Sequence, residues 1–93
     1  MTFEWDNRKS QTCFEERGFD FAYACFVFRD HRRLEREDPR RKYKERRVQT
    51  IGEIAGTIYF VVYPKRGEVV RIISAREADD DEVKTYREGR TRT

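Results

Sequence analysis

The sequence has few of the residues that build metal centres and disulfide frameworks. Its 93 residues include two cysteines, Cys13 and Cys25, and one histidine, His31. The cysteines match no Cys-x-x-Cys spacing, and with a single histidine they cannot complete the four ligands of a typical structural zinc site. We therefore expect two free thiols in a reducing cytosol, no metal site and no cofactor.

Long apolar runs and an export signal are also missing. The longest apolar stretch, 58–63, is far below the ~20 residues that a membrane span needs. Residues 1–12 alternate polar and charged side chains, whereas a secretory signal has a basic segment followed by an apolar run. These absences predict a cytoplasmic protein with no membrane partner.

Apolar residues are scarce and charges are abundant. Hydrophobic residues make up 37% of the chain and charged residues 42%, against about 25% charged residues in an average soluble domain. A chain of this length forms one compact domain, so we predict a single domain over 1–93 with a frayed tail at 89–93. Its core must be thin, and a partner or a homodimer could supply the missing burial.

The positive charge is concentrated in one segment. The whole chain carries a net charge of +3, but 29–47 holds ten Lys/Arg and five Asp/Glu, a local net of +5. Such a run can position RNA through its phosphates, or it can be a solvated face whose charges pair locally. On the first interpretation, the candidate RNA-binding residues are Arg40, Arg41, Lys42 and Lys44, together with Lys9.

Local patterns predict eight elements in the order β-α-α-β-β-β-β-α. Asp6 and Asp20 are suited to cap two helices, the first of which ends at Gly18 and the second of which covers 21–28. Gly52 and Gly56 bracket a tight connection between two strands, and 64–67 is a turn signal. The apolar run in 68–75 indicates a central strand covered on both faces. The predicted elements are 2–5, 7–17, 21–28, 33–37, 48–51, 57–63, 68–75 and 80–87. The expected fold class is α+β, with an antiparallel sheet of about four to five strands, two N-terminal helices and a short C-terminal helix.

Several short motifs are spread along nearly the whole chain. They are Phe3-Glu4-Trp5-Asp6 with Lys9; Gly18 and Phe21; Arg47 with Ile51-Gly52; and the run Arg71-Ile72-Ile73-Ser74-Ala75-Arg76 followed by Glu82 and Tyr86. In order and spacing, these motifs resemble those of the BrnT family of toxins from bacterial toxin-antitoxin systems.

The resemblance implies a RelE-like fold and a ribonuclease that arrests translation. It also implies RNA as the substrate and a BrnA-like antitoxin of the ribbon-helix-helix type that binds operator DNA. A homodimer or a 2:2 toxin-antitoxin assembly is the expected oligomer.

Two departures from the family pattern leave an alternative open. Where the family has Asn-x-x-Lys-His-Gly, this chain has Cys13, Glu16, Arg17 and Gly18, and the segment after Arg76 is acidic where the family is basic. The alternative is a catalytically degenerate module that binds an antitoxin-like partner or nucleic acid.

Metal-independent cleavage of RNA needs a base, an acid and cations that stabilise the charge on phosphorus. We predict that Arg47, Arg71 and Arg76 supply the cations, because guanidinium groups match phosphate oxygens. In an unbroken strand, Arg71 and Arg76 would point to opposite faces, so their convergence requires a bulge or a strand end between them.

Candidates for proton transfer are Glu45 and Tyr86, with Lys9 and His31 as further choices. Structural interpretations compete with these roles. Arg71 could simply pair with Glu4 or Glu53, and Glu82 with Tyr86 could serve only to pack a helix against the sheet.

Overall fold

The computed structural model describes residues 1–40 and 45–91, and this part of the chain folds into six strands and three α-helices. The helices are α1 (Asn7–Arg17), α2 (Phe21–Ala24) and α3 (Asp80–Thr91), with a 3-10 segment (Cys25–Arg29) directly after α2. The strands are β1 (Thr2–Trp5), β2 (Leu34–Glu37), β3 (Arg47–Ile54), β4 (Thr57–Arg66), β5 (Val69–Ile72) and β6 (Ser74–Glu77).

All six strands belong to one sheet, in the order β1-β5-β4-β3-β2, with β6 paired to β4. The pairing of β1 with β5 is parallel, whereas the other pairings are antiparallel. The α+β class is therefore confirmed, and the sheet is largely but not wholly antiparallel. The sheet has six strands where four to five were expected, because the predicted strand 68–75 is divided at Ile73 into β5 and β6.

The division at Ile73 is a β-bulge. On one side of it, Lys65 of β4 pairs with Val70, and on the other side Val62 pairs with Ser74. Two residues of β4, 63–64, thus face three residues, 71–73. The extra residue stays attached to the sheet, since the Ile73 amide donates to the Val62 carbonyl at 2.9 Å.

The hydrophobic core lies between one face of the sheet and the segment from α1 to the 3-10 segment. It contains Phe21, Ala24 and Val27 from the helical side, and Val61 and Ile72 from the sheet. The predicted apolar face of the second helix is retained, but the α-helix ends at Ala24 and continues as the 3-10 segment.

The caps of α1 and α2 follow the sequence signals. The Asp6 carboxylate accepts from the amides of Arg8 and Lys9, and Gly18 ends α1 in the left-handed region at φ 84°. The Asp20 carboxylate accepts from the Tyr23 amide at the start of α2. Both predicted capping residues are therefore confirmed.

Two predicted turns lie elsewhere. The connection between β3 and β4 is Ala55–Gly56, and Gly52 is inside β3. A Cβ on Gly52 would lie 2.8 Å from Cγ1 of Val27, so this glycine lets the 3-10 segment cross the sheet closely. Pro64 is likewise inside β4, and the turn to β5 follows at 67–68.

The last helix is longer than the predicted 80–87. It continues through Gly89, where an added Cβ would lie 3.2 Å from the Leu34 side chain, so β2 packs against the final turns. Among the described residues, no helix has the length and apolar character to cross a membrane.

Candidate nucleic-acid interface

One face of the sheet carries most of the predicted site residues. In β4, Tyr59, Val61 and Tyr63 belong to the core, so Phe60 and Pro64 face the opposite side. We call this opposite side the arginine face and define it by Arg36, Arg47, Arg71, Ser74 and Arg76.

Register places Arg47 and Arg76 on the arginine face. Arg47 is the partner of Pro64, and Arg76 is the partner of Phe60, so both side chains point to the same side as these two β4 residues. The two positions are four residues apart in β4, or about 13 Å along the strand.

Arg71 joins them because of the bulge. Val70 and Ile72 are in the core, which turns Arg71 to the other side, and after the extra residue Ala75 is in the core and Arg76 is not. The condition for convergence is therefore met at Ile73. Arg71 and Arg47 flank Pro64 from the two neighbouring strands, so their Cα atoms are about 10 Å apart.

Arg71 and Arg76 each have an acidic neighbour. Nη1 of Arg71 lies 3.3 Å from Oε1 of Glu4, the pairing that the structural interpretation anticipated. The guanidinium of Arg76 donates to both carboxylate oxygens of Glu82, at 2.8 and 3.0 Å, and lies 4.2 Å above the Phe60 ring. Hydrogen bonding to Glu82 raises the pKa of Arg76 further, so the guanidinium is charged and held in one orientation.

Arg36 and Ser74 are members of the arginine face that sequence reasoning did not select. Arg36 pairs in register with Gln49 and its Nε donates to the Gln49 side-chain oxygen at 2.8 Å. Gln49 and Ser74 are both partners of Val62, which sets them two strands apart on this face. The face on which these two residues lie follows only from the strand register, because the stretch around Arg36 is charged and lacks the alternation of apolar and polar residues that would predict it.

Glu45 lies next to Arg47 in the chain, just before β3. Its Oε2 accepts from Nε and Nη2 of Arg66, at 2.9 and 2.6 Å. Arg66 alternates with Phe60 and Pro64 along β4, so the Glu45 carboxylate is held at the end of the sheet that also carries Arg47.

A groove of about 440 Å³ adjoins the arginine face at β6. It is lined on one side by Arg8, Lys9 and Arg17 of α1 and on the other by Ser74 and Arg76. We call it the cationic groove. The predicted RNA-binding residue Lys9 thus lines the same groove as the predicted Arg76, while Arg8 and Arg17 are lining residues that the sequence alone did not single out.

Tyr86 and His31 lie apart from this surface. Tyr86 is 1% exposed, and its hydroxyl donates to Asp30 at 2.5 Å, beneath α3. The geometry favours the packing role that competed with proton transfer. His31 is exposed in the turn before β2.

The predicted basic run is only partly within the described residues. Arg40 donates to both oxygens of Asp38, which it reaches at 2.6 Å through Nη2. Arg41, Lys42 and Lys44 lie outside the described residues.

The two cysteines are free, as expected. Cys13 is buried, its Sγ lies 3.6 Å from the Ala75 carbonyl that it donates to, and burial raises its pKa. Burial raises the pKa of Cys25 to about 11. Both thiols are therefore protonated at neutral pH. In 1–40 and 45–91, no three His, Cys, Asp or Glu side chains form a group that could hold a metal ion.

Comparisons with known proteins identify the family. The model of the ribonuclease toxin BrnT of type II toxin-antitoxin systems matches residues 5–82. No curated protein matches the chain. A family match over most of the sequence implies an RNA target and an antitoxin partner. The chain therefore belongs to the BrnT family of ribonuclease toxins.

Proposed function

We propose that the protein is a RelE-like endoribonuclease that cleaves RNA without a metal ion and thereby arrests translation. The observation that carries the proposal is the placement of Arg47, Arg71 and Arg76 on one face of the sheet, continuous with the cationic groove. Guanidinium groups keep their charge at any physiological pH and can neutralise a phosphodiester during attack.

The proposed reaction is an internal transfer at phosphorus. The ribose 2′-oxygen attacks the adjacent phosphorus, the bond to the 5′-oxygen breaks, and a 2′,3′-cyclic phosphate and a 5′-hydroxyl form. The proton of the 2′-hydroxyl goes to a base, and the leaving 5′-oxygen receives a proton from an acid or from water. Arg47 and Arg71 stabilise the charge on the non-bridging oxygens.

Glu45 is the proposed base. Arg66 holds its carboxylate near the start of β3, beside Arg47 in the chain, where a phosphate bound by Arg47 and Arg71 would bring the 2′-hydroxyl. Tyr86 is left out of this role because it is buried and bonded to Asp30.

Electrostatics suggest the course of the RNA. The first turn of α3 carries Asp80, Asp81 and Glu82, which repel phosphates at the α3 end of the arginine face. The cationic groove opens from Ser74 and Arg76 in the other direction, towards α1. We therefore propose that the strand passes Arg47 and Arg71, turns around β6 and continues along Lys9 and Arg17.

The proposed partner is a BrnA-like antitoxin of the ribbon-helix-helix type, which would also provide contact with operator DNA. An antitoxin that covers the arginine face or the cationic groove would block the RNA path. A homodimer or a 2:2 toxin-antitoxin assembly is the proposed oligomer, because 42% of the residues are charged and a chain of this size has few apolar residues with which to build a core.

One observation favours a second candidate, a binding module without catalysis. Glu82 already occupies both terminal nitrogens of Arg76, so a phosphate would have to compete with a carboxylate there. In that case RNA would bind with steep salt dependence, weakening roughly 10³-fold or more between 50 and 200 mM salt, and would never be cut.

Induced expression in bacteria tests the proposed function. We expect the wild-type chain to stop growth, and Arg71→Ala and Arg76→Ala to relieve the arrest, because each removes a charge from the arginine face. Arg32→Ala is the matched control, since Arg32 is exposed in the turn before β2. Soluble wild-type protein that leaves growth and translation unchanged would count against the proposal.

A further inference from the structure

Two exposed aromatic rings lie on the helical segments that pack against the sheet, Phe14 on α1 and Phe26 on the 3-10 segment. Phe14 is 53% exposed and Phe26 is 43% exposed. Next to Phe14 is a cleft of about 350 Å³ with Tyr23, Tyr59, Arg17 and Glu77 in its lining. We call it the aromatic cleft.

The rings around the cleft hold one another in place. Tyr59 packs edge-to-face against Phe19 and Tyr23, with centroids 4.9 and 5.9 Å apart, and Tyr23 packs in the same way against Phe26 at 6.1 Å. Such packing fixes Tyr23 and Tyr59 before a ligand arrives, so that a planar group can stack on Tyr23 with little loss of side-chain freedom.

The cleft also offers hydrogen-bond acceptors. Burial raises the pKa of Tyr59, and the neighbouring Tyr23 hydroxyl and Glu77 carboxylate raise it further, which places these polar groups together at one end. Asp20 lines the same cleft, and one of its oxygens is used by the Tyr23 amide. Carboxylates accept hydrogen bonds from amino groups on base edges.

The aromatic cleft and the cationic groove share a wall. Arg17 lines both, and the consecutive β6 residues Arg76 and Glu77 line the groove and the cleft respectively. One RNA strand could therefore place a phosphate in the cationic groove and the base of the same or the next nucleotide in the aromatic cleft.

We propose that the aromatic cleft binds a nucleobase of the RNA, stacked on Phe14 and Tyr23, and that it favours bases with an exocyclic amino group over uracil. The proposal rests on the proposed function, since the cleft serves the RNA that follows the groove. Exposed aromatic rings beside arginine are a recurring means of holding single-stranded RNA. A protein segment is the competing occupant, and the experiment separates the two.

Binding of short RNAs that cannot be cut is the direct test. Fluorescent 2′-O-methyl oligomers of about eight nucleotides, oligo(A), oligo(C) and oligo(U), lack the attacking hydroxyl, so affinity is measured apart from cleavage. We expect wild-type protein to bind oligo(A) and oligo(C) more tightly than oligo(U). Phe14→Leu should weaken binding of oligo(A) by at least about fivefold, since one stacked base is lost.

Two further variants sharpen the result. Glu77→Gln should reduce the preference for oligo(A) and oligo(C) over oligo(U), because its amide is a poorer acceptor than a carboxylate. Glu15→Gln, next to Phe14 on α1 and exposed, is the matched control and should bind like wild type. Because Phe14 is exposed, the Phe14→Leu variant should keep the fold, and circular dichroism checks that it does.

The outcomes distinguish this inference from the ribonuclease proposal. Equal RNA affinity of wild type and Phe14→Leu would overturn the proposal that the cleft binds a base. If, in addition, Phe14→Leu no longer bound the antitoxin, a protein segment would be the occupant of the cleft. If unmodified RNA is never cut and Phe14→Leu still weakens oligo(A) binding, the cleft stands and the ribonuclease proposal fails.

Discussion

At the scale of single residues, Tyr86 shows how a motif position can have a structural role. The spacing of Glu82 and Tyr86 placed both on one helix, and two interpretations followed from that. Burial favours the packing interpretation, because the Tyr86 hydroxyl donates to Asp30, and Asp30 also accepts from the Glu53 amide at 2.8 Å. No sequence pattern reports a contact between residues so far apart in the chain.

Replacing Tyr86 by Phe should therefore lower stability more than activity. The buried hydroxyl donates to a carboxylate, and loss of such a bond costs about 1–3 kcal/mol of the free energy of unfolding. We expect Tyr86→Phe to unfold at lower urea concentration while its rate of RNA cleavage stays near that of wild type. A large fall in the cleavage rate with unchanged stability would restore the catalytic interpretation.

Asp38 is a second residue whose role depends on its surroundings. Its side chain is 1% exposed, and hydrogen bonds from Arg40 hold the pKa of the carboxyl well below its usual range. A lowered pKa stabilises the fold above the unfolded value of about 4, and the contribution disappears as the pH falls below it.

Asp38→Asn should thus destabilise the protein at neutral pH, and the difference from wild type should shrink as the pH falls below about 4. Urea unfolding across this pH range measures the effect. Glu68→Gln, an exposed carboxyl in the turn between β4 and β5, is the control and should show little difference from wild type. A difference that is constant with pH would mean that the charge of Asp38 has no part in stability.

At the scale of elements, the bulge at Ile73 organises the arginine face. The strand itself was predictable from its apolar residues, but the bulge was not, because adjacent isoleucines indicate burial on both faces. In the structure, Ile72 is 1% exposed within the core, whereas Ile73 is half-buried and lines the cationic groove. The break in alternation depends on pairing with β4, which is a tertiary property.

Deleting Ile73 should leave the fold and the arginine face intact. With the extra residue gone, 71–72 would face 63–64 one to one, so a regular ladder would keep Ser74 opposite Val62 and Arg76 opposite Phe60. Deleting Ala75 should instead turn Arg76 towards the core, where an unpaired charge is costly. We expect the Ile73 deletion to keep a cooperative thermal transition in circular dichroism and the Ala75 deletion to lose it. Loss of the transition in the Ile73 deletion would contradict this account of the register.

The glycines illustrate a similar limit on prediction. Gly18 and Gly56 have positive φ, as turn and cap signals indicated, but Gly52 serves a close approach of Val27 to β3. A glycine needed for positive φ and a glycine needed for close packing look alike in the sequence, and only the position of the 3-10 segment distinguishes them. The helix caps were predictable because they depend only on neighbouring residues.

At the scale of the whole molecule, the two sides of the sheet have different tasks. One side packs the core against α1, α2 and the 3-10 segment, and the other carries Arg36, Arg47, Arg71 and Arg76. The family could be predicted from motifs, whereas the continuity of the arginine face with the cationic groove required the fold. The net charge of +3 gave no indication of this segregation.

The most direct measurement is cleavage of single-stranded RNA by the purified protein in EDTA. We predict that wild-type protein cuts and leaves 2′,3′-cyclic phosphate ends, and that Arg47→Ala and Arg71→Ala lose roughly 10²-fold or more of the rate while remaining folded. Arg32→Ala should cut as wild type does. Cleavage that stops in EDTA and returns with a divalent metal, or rates unaffected by the loss of both Arg47 and Arg71, would contradict a metal-independent reaction at the arginine face.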